Sequence, residues 1–207
     1  MSINLLYSGN NYIESDNNSF SFDVGASGLT AVISISYLPI NYQVINSVTI
    51  NSANAINADM AQQDASIATS VWYLTNLNSG TNNVDVIFDG STKSLVNYLV
   101  YDGVSQDYPI YKTRSGIGKN VQAIPVKSFC KTSGLAIGFG SVSNEVSHTQ
   151  QLFGNQFVVF NVVCSGNGIG SEAVAAYGLF DRDEITVPNS LNIPSDWAIV
   201  IVGLEAQ

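Results

Sequence analysis

Apolar runs of four to nine residues, rich in Val, Ile, Tyr and Phe, recur along the whole chain and are separated by Gly, Asn, Ser, Asp or Pro. Short runs stopped by turn-forming residues predict many short strands rather than helices. In the first half the strands fall at residues 3–7, 20–24, 29–38, 44–50, 70–74, 83–88 and 95–101. In the second half they fall at 122–129, 135–142, 157–163, 173–180, 184–187 and 197–204. Ala31, Ile33, Ile35 and Tyr37 alternate as one face of their strand, and Val84, Val86 and Phe88 alternate against Asp85, which predicts a strand with one wet face. Residues 158–163 are nearly all apolar, as expected of a central strand covered on both sides or of a strand with a core on one face and an interface on the other.

Turn chemistry is dense between the runs. Asn78-Ser79-Gly80, Asp89-Gly90, Asp102-Gly103, Gly116-Ile117-Gly118 and Asn167-Gly168 read as turns, and Pro39, Pro109, Pro125, Pro188 and Pro194 fall at run edges. Trp72 and Tyr73 lead into Asn78-Ser79-Gly80, and residues 84–88 return, which predicts an antiparallel hairpin. Residues 58–68 are the one helix-compatible stretch, equally readable as a connection. No repeat, linker or βαβ alternation divides the chain, so residues 1–207 read as a single domain, with residues 1–15 a candidate N-terminal arm. Trp197 sits in the last strand, where a large ring can close the core between sheets.

Composition sharpens this picture at two points. Charged residues make up 11% of the chain, under half the usual ~25%, and Asn, Ser, Thr, Gly and Tyr take their place, which disfavours both disorder and helical bundles. The balance of 16 acidic to 7 basic residues gives −9, so neither nucleic acid nor an anionic membrane is an expected partner. Residues 24–58 carry no charge, but Ser27, Ser34, Ser36, Pro39, Asn41, Gln43 and Asn46 would strand polar groups in lipid, so no membrane span is expected. The N-terminus lacks a basic segment followed by an apolar run of signal-peptide length, so export by that route is not indicated.

Four segments carry a family resemblance: INSVTINSANA at 45–55, SVWYLTNLNSGTNNVDVIFDG at 70–90, LVNYLVYDGVSQDYPI at 95–110 and SDWAIVIVGLEA at 195–206. Their order and spacing resemble a jelly-roll, concanavalin-like domain common in phage, viral and bacterial cell-surface proteins. The departures are Leu77-Asn78, where that family commonly has paired prolines, and Ser105, where it often has Asp. The resemblance implies an all-β, two-sheet antiparallel sandwich of jelly-roll type. The matched positions are structural, so no catalytic residue comes with them.

A search for chemistry finds little that outweighs a structural reading. His148 is the only histidine, and VSHTQQ around it contains no nucleophile elbow. Two cysteines and one histidine at wide spacing are weak for a metal. Gly166-Asn-Gly168-Ile-Gly170 has GxGxG spacing outside any βαβ unit and reads as a hairpin connection. Asp181-Arg182-Asp183-Glu184 lacks the pattern of a calcium loop and reads as a solvated turn, and its adjacent carboxylates are poorly placed for glycoside hydrolysis. Cys130 and Cys164 read as two buried thiols, with one disulfide between them as the alternative. Tyr37, Tyr42, Tyr98, Tyr101, Tyr108 and Tyr111 form a tyrosine-rich middle that packs in a sheet or stacks on sugars. No enzyme activity, cofactor or metal is expected.

Charge is unevenly placed. Lys112, Arg114, Lys119, Lys127 and Lys131 lie between Tyr108 and Asn144, a segment without Asp or Glu, so it carries +5 against −14 for the remainder. If these groups share one face, that face attracts the acidic surface of a neighbouring copy, giving salt-sensitive, head-to-tail contacts that close a ring. The combined expectation is a virion structural protein: a capsid, vertex, turret or spike subunit on the virion surface, assembled in the host cytoplasm. Turret and vertex proteins of icosahedral archaeal viruses are the kind of relative this suggests. Its expected partners are copies of itself, other virion proteins and, through host attachment, surface glycans. The competing expectation is a carbohydrate-binding or adhesin module of a phage tail or secreted bacterial protein. A glycan-active enzyme on the same fold ranks third, because fold does not fix function.

Overall fold

The computed structural model describes residues 2–13, 17–39, 42–128, 134–143, 160–166, 169–177 and 185–207, with backbone alone for 17, 122–128, 160–166, 170–177 and 185–193. Strands take 76% of the residues, no helix forms among those described, and every strand pairing is antiparallel. The chain is an all-β antiparallel sandwich.

Three sheets form among the described residues, where the sequence predicts two. The central sheet runs β1 (Asn4–Ile13), β9 (Ser94–Asp102), β3 (Leu29–Tyr37), β7 (Ile67–Leu77) and β6 (Ile56–Gln63). A four-stranded sheet, β2 (Asn17–Val24), β8 (Gly80–Phe88), β4 (Ile45–Ile50) and β5 (Ala53–Asn54), covers one side of it. The C-terminal sheet covers the other side in the order β10 (Ile110–Ser128), β14 (Ile185–Leu204), β11 (Leu135–Val142), β13 (Ile169–Tyr177) and β12 (Phe160–Gly166).

Alternation along the central strands feeds two cores. Ala31, Ile33, Ile35 and Tyr37 of β3 pack with Val48, Ile50, Val84, Val86 and Phe88 of the four-stranded sheet. The alternate face contributes Val32, Val71, Leu95, Leu99 and Tyr101, which pack with Ile137, Phe139, Ala198, Val200 and Val202 of the C-terminal sheet. All nine positions of β3 are therefore buried, including Thr30, Ser34 and Ser36. Buried hydroxyls need partners. Thr69 Oγ1 donates to the Ala198 carbonyl at 3.0 Å and pairs with the Ser141 hydroxyl, whose Oγ reaches the Ala68 carbonyl at 3.3 Å. These bonds fasten β7 to β14 and β11 through an otherwise apolar layer.

Several sequence expectations change. Residues 70–77 and 84–88 do not form a hairpin: β7 pairs with β3 and β6, β8 pairs with β2 and β4, and Asn78-Ser79 carries the chain between sheets. Gly80, at φ 97°, and Asn76, at φ 56°, make that crossing, and the buried Asn82 amide donates to the carbonyls of Asn78 and Gly80 at 3.1 and 3.0 Å. Residues 58–68 are no helix but the β6–β7 hairpin, turned at Asp64 with φ 47°, where the Gln62 amide donates to the Asp64 carbonyl at 2.9 Å. Residues 4–13 are not an arm, because β1 pairs with β9 from Asn4↔Asp102 to Ile13↔Ser94. Gly166 and Gly170 lie at the facing ends of the antiparallel pair β12 and β13, opposite Ile169 and Ser165, while residues 167–168 lie outside the described residues.

Gly116-Ile117-Gly118 is strand, not turn. Gly116 lies opposite Ile199 and Gly118 opposite Trp197, and a Cβ at Gly118 would collide with the indole. Trp197 is 3% exposed, but it does not close the core between sheets. Ala198, Val200, Val202 and Leu204 point at the central sheet, so by alternation Trp197, Ile199 and Ile201 point to the other side of the C-terminal sheet. The ring lies over Gly118 and pins β10 to β14.

Replacing Trp197 by Ala should therefore lower unfolding stability by about 3–5 kcal/mol, and Gly118→Val should cost about 1–3 kcal/mol by displacing the same ring. Urea unfolding of both variants checks this. Losses below about 1 kcal/mol would show that the ring is not a packing element.

Candidate interaction surfaces

The basic segment mostly falls on β10, an edge strand of the C-terminal sheet. Lys112 lies opposite Gly203 and Arg114 opposite Ile201, so their side chains share the sheet face that looks away from the central sheet. Lys119 lies past the regular pairing, where the register shifts between Gly118 and Val121. Lys127 lies opposite Thr186 in the same strand, its side chain outside the described atoms, and Lys131 is outside the described residues. The structure thus brings Lys112 and Arg114 to one face and sets Lys119 apart from them.

Lys119 is engaged within its own chain. Its Nζ is 2.8 Å from Asp64 Oδ2, in the β6–β7 turn, and Gln63 Nε2 donates to the same oxygen at 3.1 Å. The hydrogen bond and charge of Lys119 hold the Asp64 carboxyl below its usual range. The same contact raises the Lys119 ammonium, with smaller contributions from Asp196 and Tyr42. Asp196 Oδ1 also accepts the Asn120 N–H at 2.7 Å. Both members of the ion pair are more than half exposed, so the pair orients a turn and adds little stability.

The backbone at this spot is unusual. Tyr42, Asp64 and Asn120 come from three separate segments, Asn120 at the register shift of β10, and each has positive φ, at 61°, 47° and 49°. Asp and Asn tolerate the left-handed region through short polar side chains, whereas Tyr adopts it at a cost. Tyr42 is 66% exposed, so an aromatic ring on a strained backbone stands in water within electrostatic reach of Lys119.

The tyrosine-rich middle divides in two. Tyr37 and Tyr101 are fully buried, and Tyr98 stacks on Phe20 and Phe22 with ring centroids 5.8 and 4.9 Å away. Tyr42 and Tyr108, the latter 79% exposed, face solvent. Tyr37 donates its hydroxyl to Met60 Sδ at 3.5 Å, and burial, followed by the negative charge of Asp89, pushes its pKa up to about 12. Sequence marked all six tyrosines alike because ring count says nothing of which strand face each occupies.

Cys164 lies in β12 opposite Ser171, its side chain outside the described atoms, while Cys130, His148 and residues 181–184 are outside the described residues. No group of three metal-ligating side chains forms among the described residues. Among the described residues no helix is long and apolar enough to cross a membrane.

The flank opposite β10 escaped the sequence reading. There the central sheet ends in β1, whose sequence NLLYSGNNYI carries no charge, and β12 lies alongside β1 and β9. Leu6, Tyr7 and Tyr12 of β1 are each more than one third exposed.

No family model matches the chain, and no curated protein matches it. Among solved structures it is similar to the crystal structure of PBSX exported protein XepA, at 11% identity and a TM-score of 0.22, over 97% of this chain and 86% of that one. A likeness that faint bears on neither fold nor function.

The Tyr37 shift has a pH consequence of definite sign. The folded state holds the phenol proton more tightly than the unfolded chain, so this contribution is complete below pH 10 and is lost as pH rises from 10 towards 12. Its full size is about 2–3 kcal/mol at 1.36 kcal/mol per unit. Urea unfolding between pH 8 and 11.5 should show the native protein losing stability faster than Tyr37→Phe, and parallel curves would contradict this.

Proposed function

We propose that this chain is a structural subunit of a virion surface, a jelly-roll module that acts by self-association and by contact with the host. The observation that supports this is the strand order. The sheets β1-β9-β3-β7 and β2-β8-β4-β5 face each other, with β6 added beyond β7. The chain crosses between these sheets at every step except β4 to β5 and β6 to β7. This winding supports the jelly-roll part of the reading, because a jelly roll is eight strands in two Greek keys, an architecture used in capsid and lectin domains.

Surface chemistry favours the same reading. Exposed Leu6, Tyr42, Ile56, Tyr108 and Ile117 stand on a protein with few charges, and large exposed apolar side chains suit contact with other proteins. A carbohydrate-binding module is the second reading, favoured by the solvent-facing rings of Tyr42 and Tyr108.

Particles purified from the source that encodes the chain should contain it in stoichiometric amounts by quantitative mass spectrometry, and an antibody to the protein should label them intact. Its absence from particles, together with glycan-array binding that Tyr42→Ala and Tyr108→Ala remove, would replace the first reading by the second.

A further inference from the structure

A strand at the edge of a sheet shows a row of unpaired N–H and C=O groups, and proteins protect such edges with charge, proline, bulges or brevity. Most edges of this sandwich are protected. β2 carries Asp23, β6 carries Asp59, β10 carries Lys112, Arg114 and Lys119, and β5 is two residues long. The flank formed by β1 and β12 is different. β1 extends over ten residues and β12 over seven, and neither NLLYSGNNYI nor FNVVCSG contains Asp, Glu, Lys, Arg or Pro. A register shift interrupts β1 between Leu5 and Tyr7, after which it runs regularly from Tyr7↔Val100 to Ile13↔Ser94. Among the described residues β1 has β9 on one side and no strand on the other.

We propose that two copies of this chain pair edge to edge through β1, antiparallel about a two-fold axis, joining their central sheets into one continuous sheet. Charge favours a second copy as the occupant. A chain of net charge −9 repels itself over most of its surface, and this flank lets two copies approach without placing like charges together. An antiparallel strand pair is self-complementary, because each residue meets the same set from the partner, as an isologous interface requires. Pairing extends the ladder on the side of β1 that no described strand occupies and brings Leu6 and Tyr7, which are 45% and 37% exposed, against the other copy. This inference rests on the self-association part of the proposed function and names its contact.

Sedimentation of the full chain across a concentration series, at low and high salt, tests it. Ser8 and Asn10 are exposed on β1, so Ser8→Glu with Asn10→Glu adds like charges to the contact without entering the core. The expected result is a dimer that salt does not weaken, at least tenfold weaker association in that variant, and an unchanged melting temperature at concentrations where both proteins are monomeric. Ile56→Glu with Val121→Glu, on the opposite flank, should leave association as it was. Undiminished dimerisation of the β1 variant would overturn the proposal. So would a dimer that salt dissociates and Lys112→Glu with Arg114→Glu abolishes, which would place the contact on the basic edge. A monomer throughout would remove self-association from the proposed function as well, whereas absence from particles with the β1 dimer intact would remove the virion reading alone.

Discussion

A sheet covered on both faces is the constraint from which the rest of this structure follows. The central sheet cannot use the usual division into a wet and a dry side, so every position of β3 must suit an interior. One face meets this demand with Ala31, Ile33, Ile35 and Tyr37, and the other with Val32 and the small hydroxyl residues Thr30, Ser34 and Ser36. Small side chains let a second sheet approach closely, and in the neighbouring strand β7 the Thr69 hydroxyl bonds to the Ala198 carbonyl across the gap. Each fully buried Val, Leu, Ile or Phe contributes about 1.5–3 kcal/mol. The middle layer thus does the work of two cores with one set of strands.

The same constraint explains what sequence could and could not reveal. Residues 135–142 were legible in full as β11, and 29–38, 44–50 and 95–101 as β3, β4 and β9 to within a few residues, because β-branched and aromatic runs stop at strong turn residues. The number of sheets was not legible. Thr30, Ser34 and Ser36 look like a solvent face to any argument from alternation, and only tertiary packing buries them. Gly116-Ile117-Gly118, in the middle of β10, reads as a turn in the sequence for a related reason. Gly116 and Gly118 are turn formers by propensity, yet here they leave room for Ile199 and the indole of Trp197 on the neighbouring strand. The β6–β7 hairpin was hidden by Ala, Met and Gln, residues that favour helix when no sheet edge is offered.

Of the candidate surfaces, sequence found the charge and missed its placement. It identified Lys112, Arg114 and Lys119 as one group, but a strand separates them by face and register, and Asp64 engages Lys119 from a turn 55 residues away in sequence. The uncharged flank is an absence in the sequence, unremarkable until β1 is seen at a sheet edge. Its importance comes from contrast with the charged edges elsewhere, and that contrast exists only once the strand order is known.

The shared middle layer also sets an order of events during synthesis. Strands β1 to β9 leave the ribosome first and contain everything needed for the two sheets around the first core. At roughly 5–20 residues per second, the remaining hundred or so residues follow over about 5–20 s. For that interval the face bearing Val32, Val71, Leu95 and Leu99 has no cover, since its partners Phe139, Val200 and Val202 are not yet made. The nascent chain thus passes through a compact stage with one apolar wall open, when chaperone capture and premature contact between neighbouring ribosomes compete with arrival of its own last sheet.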